Sequence, residues 1–354
     1  MNELRIAQVA PLYESVPPKL YGGTERVVSF LTEELVAQGH QVTLFASGDS
    51  VTKARLISVC DSSLRLDKNC VDQLSHHIAM LQMVLDESDN FDVIHYHIDY
   101  LHFPLSRLAC LPQLTTLHGR LDIPDLKPLY KIFQDMPVVS ISVGQRKPLP
   151  QINWIGNVYH GLPENLLKPK YEEGKYLAFL GRISVEKRVD RAIEIAIRCG
   201  IPLKIAAKID KADKEYFEQH IRKLLDHPLV EFIGEISENE KNEFLENAIA
   251  LLFPIDWLEP FGLVMIEALA CGTPVVAYNN GSVPEIIDHG ITGFIVENQE
   301  DAVKAVQNIG LLERRQCRKV FEERFTAARM ATEYTKVYSQ ALELESDKYD
   351  LKLF

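Results

Sequence analysis

The chain has 354 residues, of which 46% are hydrophobic, 25% charged and 8% aromatic, and its formal net charge is −12. That length suits two domains of roughly 150 residues each, and the composition excludes disordered, collagen-like and low-complexity architectures. The negative charge argues against a general electrostatic grip on nucleic acid or on an anionic membrane, so neither is expected as a partner.

Residues 4–10 form a short apolar-rich segment, followed by a loop at 11–23 that holds prolines and two glycines. Val28, Leu31 and Leu35 recur at helical spacing until Gly39 stops them, and 41–46 reads as a second strand. Strand, helix and strand in this order make the unit of a parallel sheet. Further strands are expected at 91–95, 114–117, 138–143 and 154–158, with a helix at 72–86. Between 160 and 175 the apolar pattern weakens, and Pro163, Pro169 and the segment 168–175 read as a linker. The rhythm then restarts with a strand at 176–180. A helix face follows at Val189, Ala192, Ile193, Ala196 and Ile197, then strands at 203–207, 230–233, 250–254 and 274–277. Met330, Tyr334, Val337, Tyr338 and Ala341 share one face of a helix at 327–344. The expectation is an α/β protein with two doubly wound Rossmann-like domains, 1–162 and 163–325, and a helical segment at 326–354. Two such open sheets make a cleft, and ligands sit at the carboxyl ends of the strands.

The six cysteines contain no C-x-x-C pair, which argues against a zinc ribbon and fits small buried side chains in a reducing compartment. No stretch approaches the ~18 continuous apolar residues of a membrane span, and the opening residues MNELR carry no signal-peptide pattern. A cytoplasmic setting is expected.

Four constellations could carry chemistry. Tyr21-Gly22-Gly23-Thr24-Glu25-Arg26 lies between the first strand and the first helix, where glycines permit close backbone approach and a helix N-terminus favours anions. The alternative is a plain tight turn. His118-Gly119-Arg120 follows a strand, so the imidazole can meet a substrate hydroxyl or a developing charge, although a lone histidine is more often structural. Gly181-Arg182 with Lys187 puts two cations on one strand-to-helix loop of an acidic protein, suited to a diphosphate; the alternative is a solvated charged turn. Glu259 and Glu267 bracket a helix start marked by Pro260 and Gly262. An anion at the free amides with carboxylates for hydroxyls on either side is a sugar-phosphate pattern. A capping acid plus a surface glutamate is disfavoured, because Glu267 sits in the apolar run 263–270, where an unpaired carboxylate is costly. His95-x-His97 points both rings to one face, but with no third ligand apparent, packing outweighs metal binding.

Taken in order, Gly22-Gly23, His118, Gly181-Arg182 with Lys187, and the E-x7-E from Glu259 to Glu267 within E-P-F-G-L-V-M-I-E-A-L-A-C-G-T-P-V-V resemble the family 4 retaining glycosyltransferases of the GT-B fold. G-H-Q-V-T-L-F at 39–45 and G-S-V-P-E-I-I at 281–287 extend the resemblance through nearly the whole chain. The resemblance implies two Rossmann-like domains facing a deep cleft, an acceptor-binding domain first and a nucleotide-sugar-binding domain second, with the C-terminal helix crossing back to the first. It implies retaining, metal-independent transfer of a sugar from a nucleotide-diphosphate sugar to an acceptor hydroxyl in carbohydrate biosynthesis. No cofactor and no metal ligands are expected, in keeping with the absence of a D-x-D motif, and UDP stands ahead of GDP or ADP as the donor nucleotide. Gly22 and Gly23 would lie against the donor diphosphate, which Arg182 and Lys187 would neutralise. Glu259 would bind hydroxyls of the transferred sugar, and Phe261, Gly262, Leu263 and Val264 would offer backbone contacts. Glu267 would hold the ribose, Ile233 and Gly234 would line the base pocket, and His118 would contact the sugar near the reacting carbon.

The chain departs from the family pattern in two places. Arg188 stands where a glycine is common, adding charge beside the phosphate site, and His160-Gly161-Leu162-Pro163 replaces Asn-Gly-Val-Asp. A nucleotide-sugar epimerase or phosphorolytic enzyme, and a non-catalytic nucleotide-sugar-binding protein, are the competing readings. The acceptor, whether sugar, glycolipid or small molecule, is left open, with contacts expected in 11–21 and 99–104. Monomer and homodimer are equally open.

Overall fold

The computed structural model describes residues 3–351 apart from 20, 21, 66 and 110, with side chains described to 343. Tyr21 of the first motif, part of the loop 11–21 and Cys110 therefore lie outside the described residues. The chain divides into two compact units, Met1–Pro163 with Ala327–Phe354, and Glu164–Thr326.

The first unit runs β1 (Arg5–Val9), α1 (Gly23–Ala37), β2 (Gln41–Phe45), β3 (Arg55–Ile57), α2 (Gln73–Asp86), β4 (Val93–Tyr96), α3 (Phe103–Ala109), β5 (Gln113–Thr116), α4 (Leu126–Ile132), β6 (Val138–Ser140) and β7 (Trp154–Asn157). The second runs β8 (Tyr176–Arg182), α5 (Val189–Cys199), β9 (Leu203–Lys208), α6 (Lys214–Tyr216), β10 (Val230–Gly234), α7 (Glu238–Glu246), β11 (Ala248–Phe253), α8 (Leu263–Ala270), β12 (Val275–Tyr278), α9 (Val283–Ile286), β13 (Gly293–Val296), α10 (Gln299–Gln307) and α11 (Arg314–Arg324). The chain then returns to the first unit with α12 (Ala327–Leu351).

Both sheets are parallel, in the orders β3-β2-β1-β4-β5-β6-β7 and β10-β9-β8-β11-β12-β13. Parallel strands covered on both faces read as continuous apolar runs, which is why the central strands are visible in the sequence. Ile6, Ala7 and Val9 of β1 and Leu177 and Ala178 of β8 are fully buried. α5 turns Val189, Ala192, Ile193 and Ala196 onto its sheet and stops at Gly200 in the left-handed conformation. Each large side chain so buried contributes about 1.5–3 kcal/mol before entropy is charged against it. α2 begins where the Asp72 carboxylate accepts from the amides of Leu74 and Ser75.

Besides α6, α7, α9, α10 and α11, four short elements, β3, β13, α3 and α4, are additional to those expected from sequence. The two strands have three and four residues and the two helices seven each, too few to display a period. In each sheet the chain moves outward from its first strand and then resumes on the other side, so β1 lies between β2 and β4, and β8 between β9 and β11. At such a switch point the loops leaving the two neighbouring strands diverge and open a crevice. Among the described residues no helix is long and apolar enough to cross a membrane.

Candidate active site

The second unit's switch point is bounded by the loop after β8, which carries Arg182 to Arg188, and the loop after β11, which carries Trp257 to Gly262. Two contacts tie these loops together. The Asp256 amide donates to the Glu186 carbonyl at 2.8 Å, and the Lys187 ammonium forms an ion pair with Glu259. Trp257 Nε1 donates to the same Glu259 oxygen at 3.0 Å. Lys187 Nζ also lies 5.0 Å from the Trp257 ring centre and 5.4 Å from that of Phe253, within cation–π range. Lysine and carboxylate thus stand side by side at the carboxyl ends of β8 and β11, the cation suited to a phosphate and the anion to hydroxyls.

Arg182 ends β8 and is surrounded by acids. Its guanidinium meets Glu186 at 2.7 Å, Asp213 at 3.5 Å and Asp210 at 3.6 Å. The charge that Arg188 adds beside this site is paired. Its guanidinium is taken by Asp190 at 2.7 Å and Asp256 at 2.9 Å, and the Asp190 hydrogen bond holds its pKa above the ordinary arginine range.

α8 starts at Gly262, whose φ of +80° is a left-handed turn. A Cβ there would lie 2.9 Å from the Met265 methyl and 3.1 Å from Phe253. Gly281 approaches closer still, and a Cβ on it would meet the Glu259 backbone at 2.3 Å, so the 281–287 motif holds the Glu259 loop by backbone contact. The Ser282 amide donates to the Glu259 carbonyl at 3.0 Å, and the Ser282 hydroxyl donates to the Phe261 carbonyl at 2.7 Å. The Phe261 ring is core, 2% exposed and edge-on to Phe325, so the ring itself is not offered to a ligand. Leu263 and Val264 form the first turn of α8, where amides lack intrahelical partners. Glu267 lies on the next turn, 3% exposed, and is paired with Lys241 of α7 at 2.7 Å. Lys241 was not visible as a site residue in the sequence, where it reads as one charge on a polar helix. Ile233 and Gly234 close β10, with Ile233 37% exposed and Gly234 at φ +78°.

In the first unit, Gly22 caps α1 and Gly23 opens it. Beside them lie two buried carboxylates, Glu25 of the same motif and Glu14, which the sequence did not single out; Arg65 pairs Glu14 at 3.0 Å, and burial pushes the Glu25 carboxyl up. His118 follows β5 and is not alone. Its Nε2 lies 2.9 Å from His97 Nδ1, and its ring stacks on His160 with centres 5.2 Å apart. Desolvation pushes His118 down to about 3 and holds His97 and His160 well below the ordinary imidazole range. His95 and His97 spend their nitrogens on hydrogen bonds. Among the described residues no group of three or more His, Cys, Asp or Glu is arranged to hold a metal ion.

The model of the family described as Glycosyltransferase Family 4 matches residues 21–143, and that described as Glycosyl transferases group 1 matches residues 166–325. N-acetyl-alpha-D-glucosaminyl L-malate synthase of Bacillus anthracis is 26% identical over 370 aligned residues, covering 91% of this chain and 94% of that protein. Among solved structures, AviGT4, a glycosyltransferase involved in avilamycin A biosynthesis, superposes with a TM-score of 0.75 at 22% identity, covering 96% of this chain and 98% of its own. Anabaena HepE, solved in complex with UDP and glucose, gives 0.75 at 16% identity, covering 96% and 100%. These structural likenesses show the fold, two Rossmann-like units of the GT-B class. With both family models matched in consecutive parts of one chain, the protein belongs to the group 1 glycosyltransferases of family 4, enzymes that transfer a sugar from a nucleotide sugar.

Proposed function

We propose that the protein is a retaining, metal-independent glycosyltransferase that moves a hexose from a UDP-sugar to an acceptor hydroxyl. The observation that carries the reading is the Lys187–Glu259 pair at the switch point of the second sheet, next to the N-terminus of α8. A cation, a carboxylate and a helix N-terminus in one place match the three charge demands of a sugar diphosphate. The diphosphate meets Arg182, Lys187 and the first amides of α8. The transferred sugar meets Glu259 and the backbone of Phe261, Gly262, Leu263 and Val264, and the ribose meets Glu267. Ile233 and Gly234 flank the base. In the first unit, Gly22 and Gly23 offer amides to the donor, and His118 accepts from a hydroxyl of the sugar. UDP is favoured because HepE, of similar fold, was solved with it.

The chemistry follows from charge. The bond between the anomeric carbon and the diphosphate oxygen breaks with its electron pair leaving on oxygen. Arg182, Lys187 and the helix N-terminus take up that negative charge, the task a divalent cation performs in other transferases. The acceptor oxygen then bonds to the anomeric carbon on the face just vacated, its proton passing to the departing diphosphate, so configuration is retained. A cytoplasmic setting is part of the proposal, supported by the free thiols Cys60, Cys70, Cys199, Cys271 and Cys317.

The test is kinetic. Lys187→Ala and Glu259→Ala should each lower transfer by about 10²–10³-fold, the cost of removing one preorganised charge, while circular dichroism remains that of the native fold. Donors are first identified by thermal shift against UDP-, GDP- and ADP-sugars, and transfer is read as product mass. Full activity in both variants, or isomerised sugar formed without an acceptor, would overturn the assignment.

A further inference from the structure

The side chains around His95-x-His97 have no part in the donor site of the second unit, yet they form one continuous path of hydrogen bonds inside the first unit. Gln8 of β1, fully buried, is its centre. Its amide oxygen accepts from His97 Nε2 at 2.7 Å, and its amide nitrogen donates to the Tyr338 hydroxyl of α12 at 2.9 Å. The Tyr338 hydroxyl lies 2.9 Å from His95 Nδ1. His95 Nε2 lies 2.7 Å from the Thr116 hydroxyl, which is 2.8 Å from that of Tyr334. On the other side His97 Nδ1 meets His118 Nε2 at 2.9 Å.

The path has a direction. A carbonyl oxygen only accepts, so the proton of His97 sits on Nε2. A neutral imidazole carries one proton, so His97 Nδ1 is bare and must accept. The proton between the two rings therefore belongs to His118 Nε2, and His118 Nδ1 is bare. That nitrogen is buried and has no hydrogen-bond partner among the described residues. The same order satisfies the other branch, with Tyr338 donating to His95 and His95 donating to Thr116. Desolvation keeps the imidazoles of His95, His97 and His118 uncharged.

We propose that Gln8, His97 and Tyr338 are positioning residues that fix the tautomer of His118, so that an uncharged Nδ1 lone pair is what the transferred sugar meets. The inference rests on the reading that His118 contacts that sugar. The physical gain is electrostatic. Positive charge develops at the anomeric carbon as the leaving group departs, a neutral acceptor beside it is favourable, and an imidazolium or an inward N–H is not. α12, reached after the whole second unit, supplies the hydroxyl that orders the path.

The decisive measurement needs no substrate. In full-length protein labelled with ¹⁵N-histidine, the two-bond proton–nitrogen pattern of His118, assigned by its loss in His118→Ala, should be that of the Nε2–H tautomer. In Tyr338→Phe the His118 pattern should become a mixture of tautomers. His97→Asn, which cuts the same path at another residue, should do likewise if Tyr338→Phe does not yield folded protein. An Nδ1–H pattern in the native protein, or an unchanged His118 in a folded variant, overturns the proposal. The second readout is UDP release from UDP-glucose. Tyr338→Phe should lower kcat about tenfold with KM changed less than twofold, and should cost nothing further in a His118→Ala background. An equal cost in both backgrounds marks a merely structural role and overturns the proposal. If His118→Ala turns over at the native rate, the sugar-contact reading fails, and the tautomer spectrum still decides the path by itself.

Discussion

Arg188 takes φ +54° at the start of α5, a conformation that costs an L-residue about 1–2 kcal/mol and that glycine adopts freely. What Arg188 gains in exchange is a pair of ion pairs with Asp190 and Asp256, both partly exposed and so worth about 0–1 kcal/mol each. Strain and gain nearly cancel, and Asp256 has a second partner in Arg191 at 3.0 Å. Arg188→Gly should therefore shift stability by no more than about 1 kcal/mol in urea denaturation and should leave donor affinity within a factor of about two. A tenfold loss of UDP-glucose affinity by calorimetry would show that the guanidinium leaves its acids for the diphosphate.

At the scale of the element, α8 depends on how it begins. Gly262 turns the chain so that the loop carrying Glu259 leads directly into the helix, and its missing side chain is the space occupied by the Met265 methyl and the Phe253 ring. Gly262→Ala meets a positive φ and two close neighbours together, which should cost about 2 kcal/mol of stability. Function should fall further than stability, because a shifted first turn misdirects the amides of Leu263 and Val264. The expected result is a protein that unfolds cooperatively at lower urea and binds UDP-glucose at least tenfold more weakly. Native affinity in that variant would remove the helix N-terminus from the donor site.

For the molecule as a whole, histidine burial is concentrated in one unit. His40, His77, His95, His97, His102, His118 and His160 all lie in the first unit, and desolvation lowers the pKa of each. A folded pKa below the unfolded value near 6.5 means that stability is fully present above that pH and is lost as pH falls toward the folded values. Each such histidine removes up to about 1.4 kcal/mol per pH unit over that window. Calorimetric scans from pH 7 to pH 4.5 should show the transition of the first unit moving down steeply below about pH 6.5. His118→Gln with His97→Asn should flatten that slope. A first-unit transition that stays level to pH 5 would contradict neutral burial of these rings.

Much of this was legible in linear order. Apolar runs marked the central strands because both of their faces are covered, and the loops after 180 and 253 could be singled out because cations or carboxylates follow those runs at once. Glu267 could be singled out because a carboxylate in an apolar helix must have a partner. The partner itself could not be named, since Lys241 comes from another helix and only packing brings it within 2.7 Å. The three-residue strand β3 and the seven-residue helices α3 and α4 left no periodic trace. His118 stood out by its place after a strand, but the path that orients it joins Gln8 to Tyr338, 330 positions apart. The family, the α/β class and the residue types at the strand ends follow from linear order, because those depend on local pattern and spacing. Which charge each residue faces, and which tautomer His118 holds, was decided only in the folded chain, where hydrogen bonds in a dry interior must all be satisfied at once.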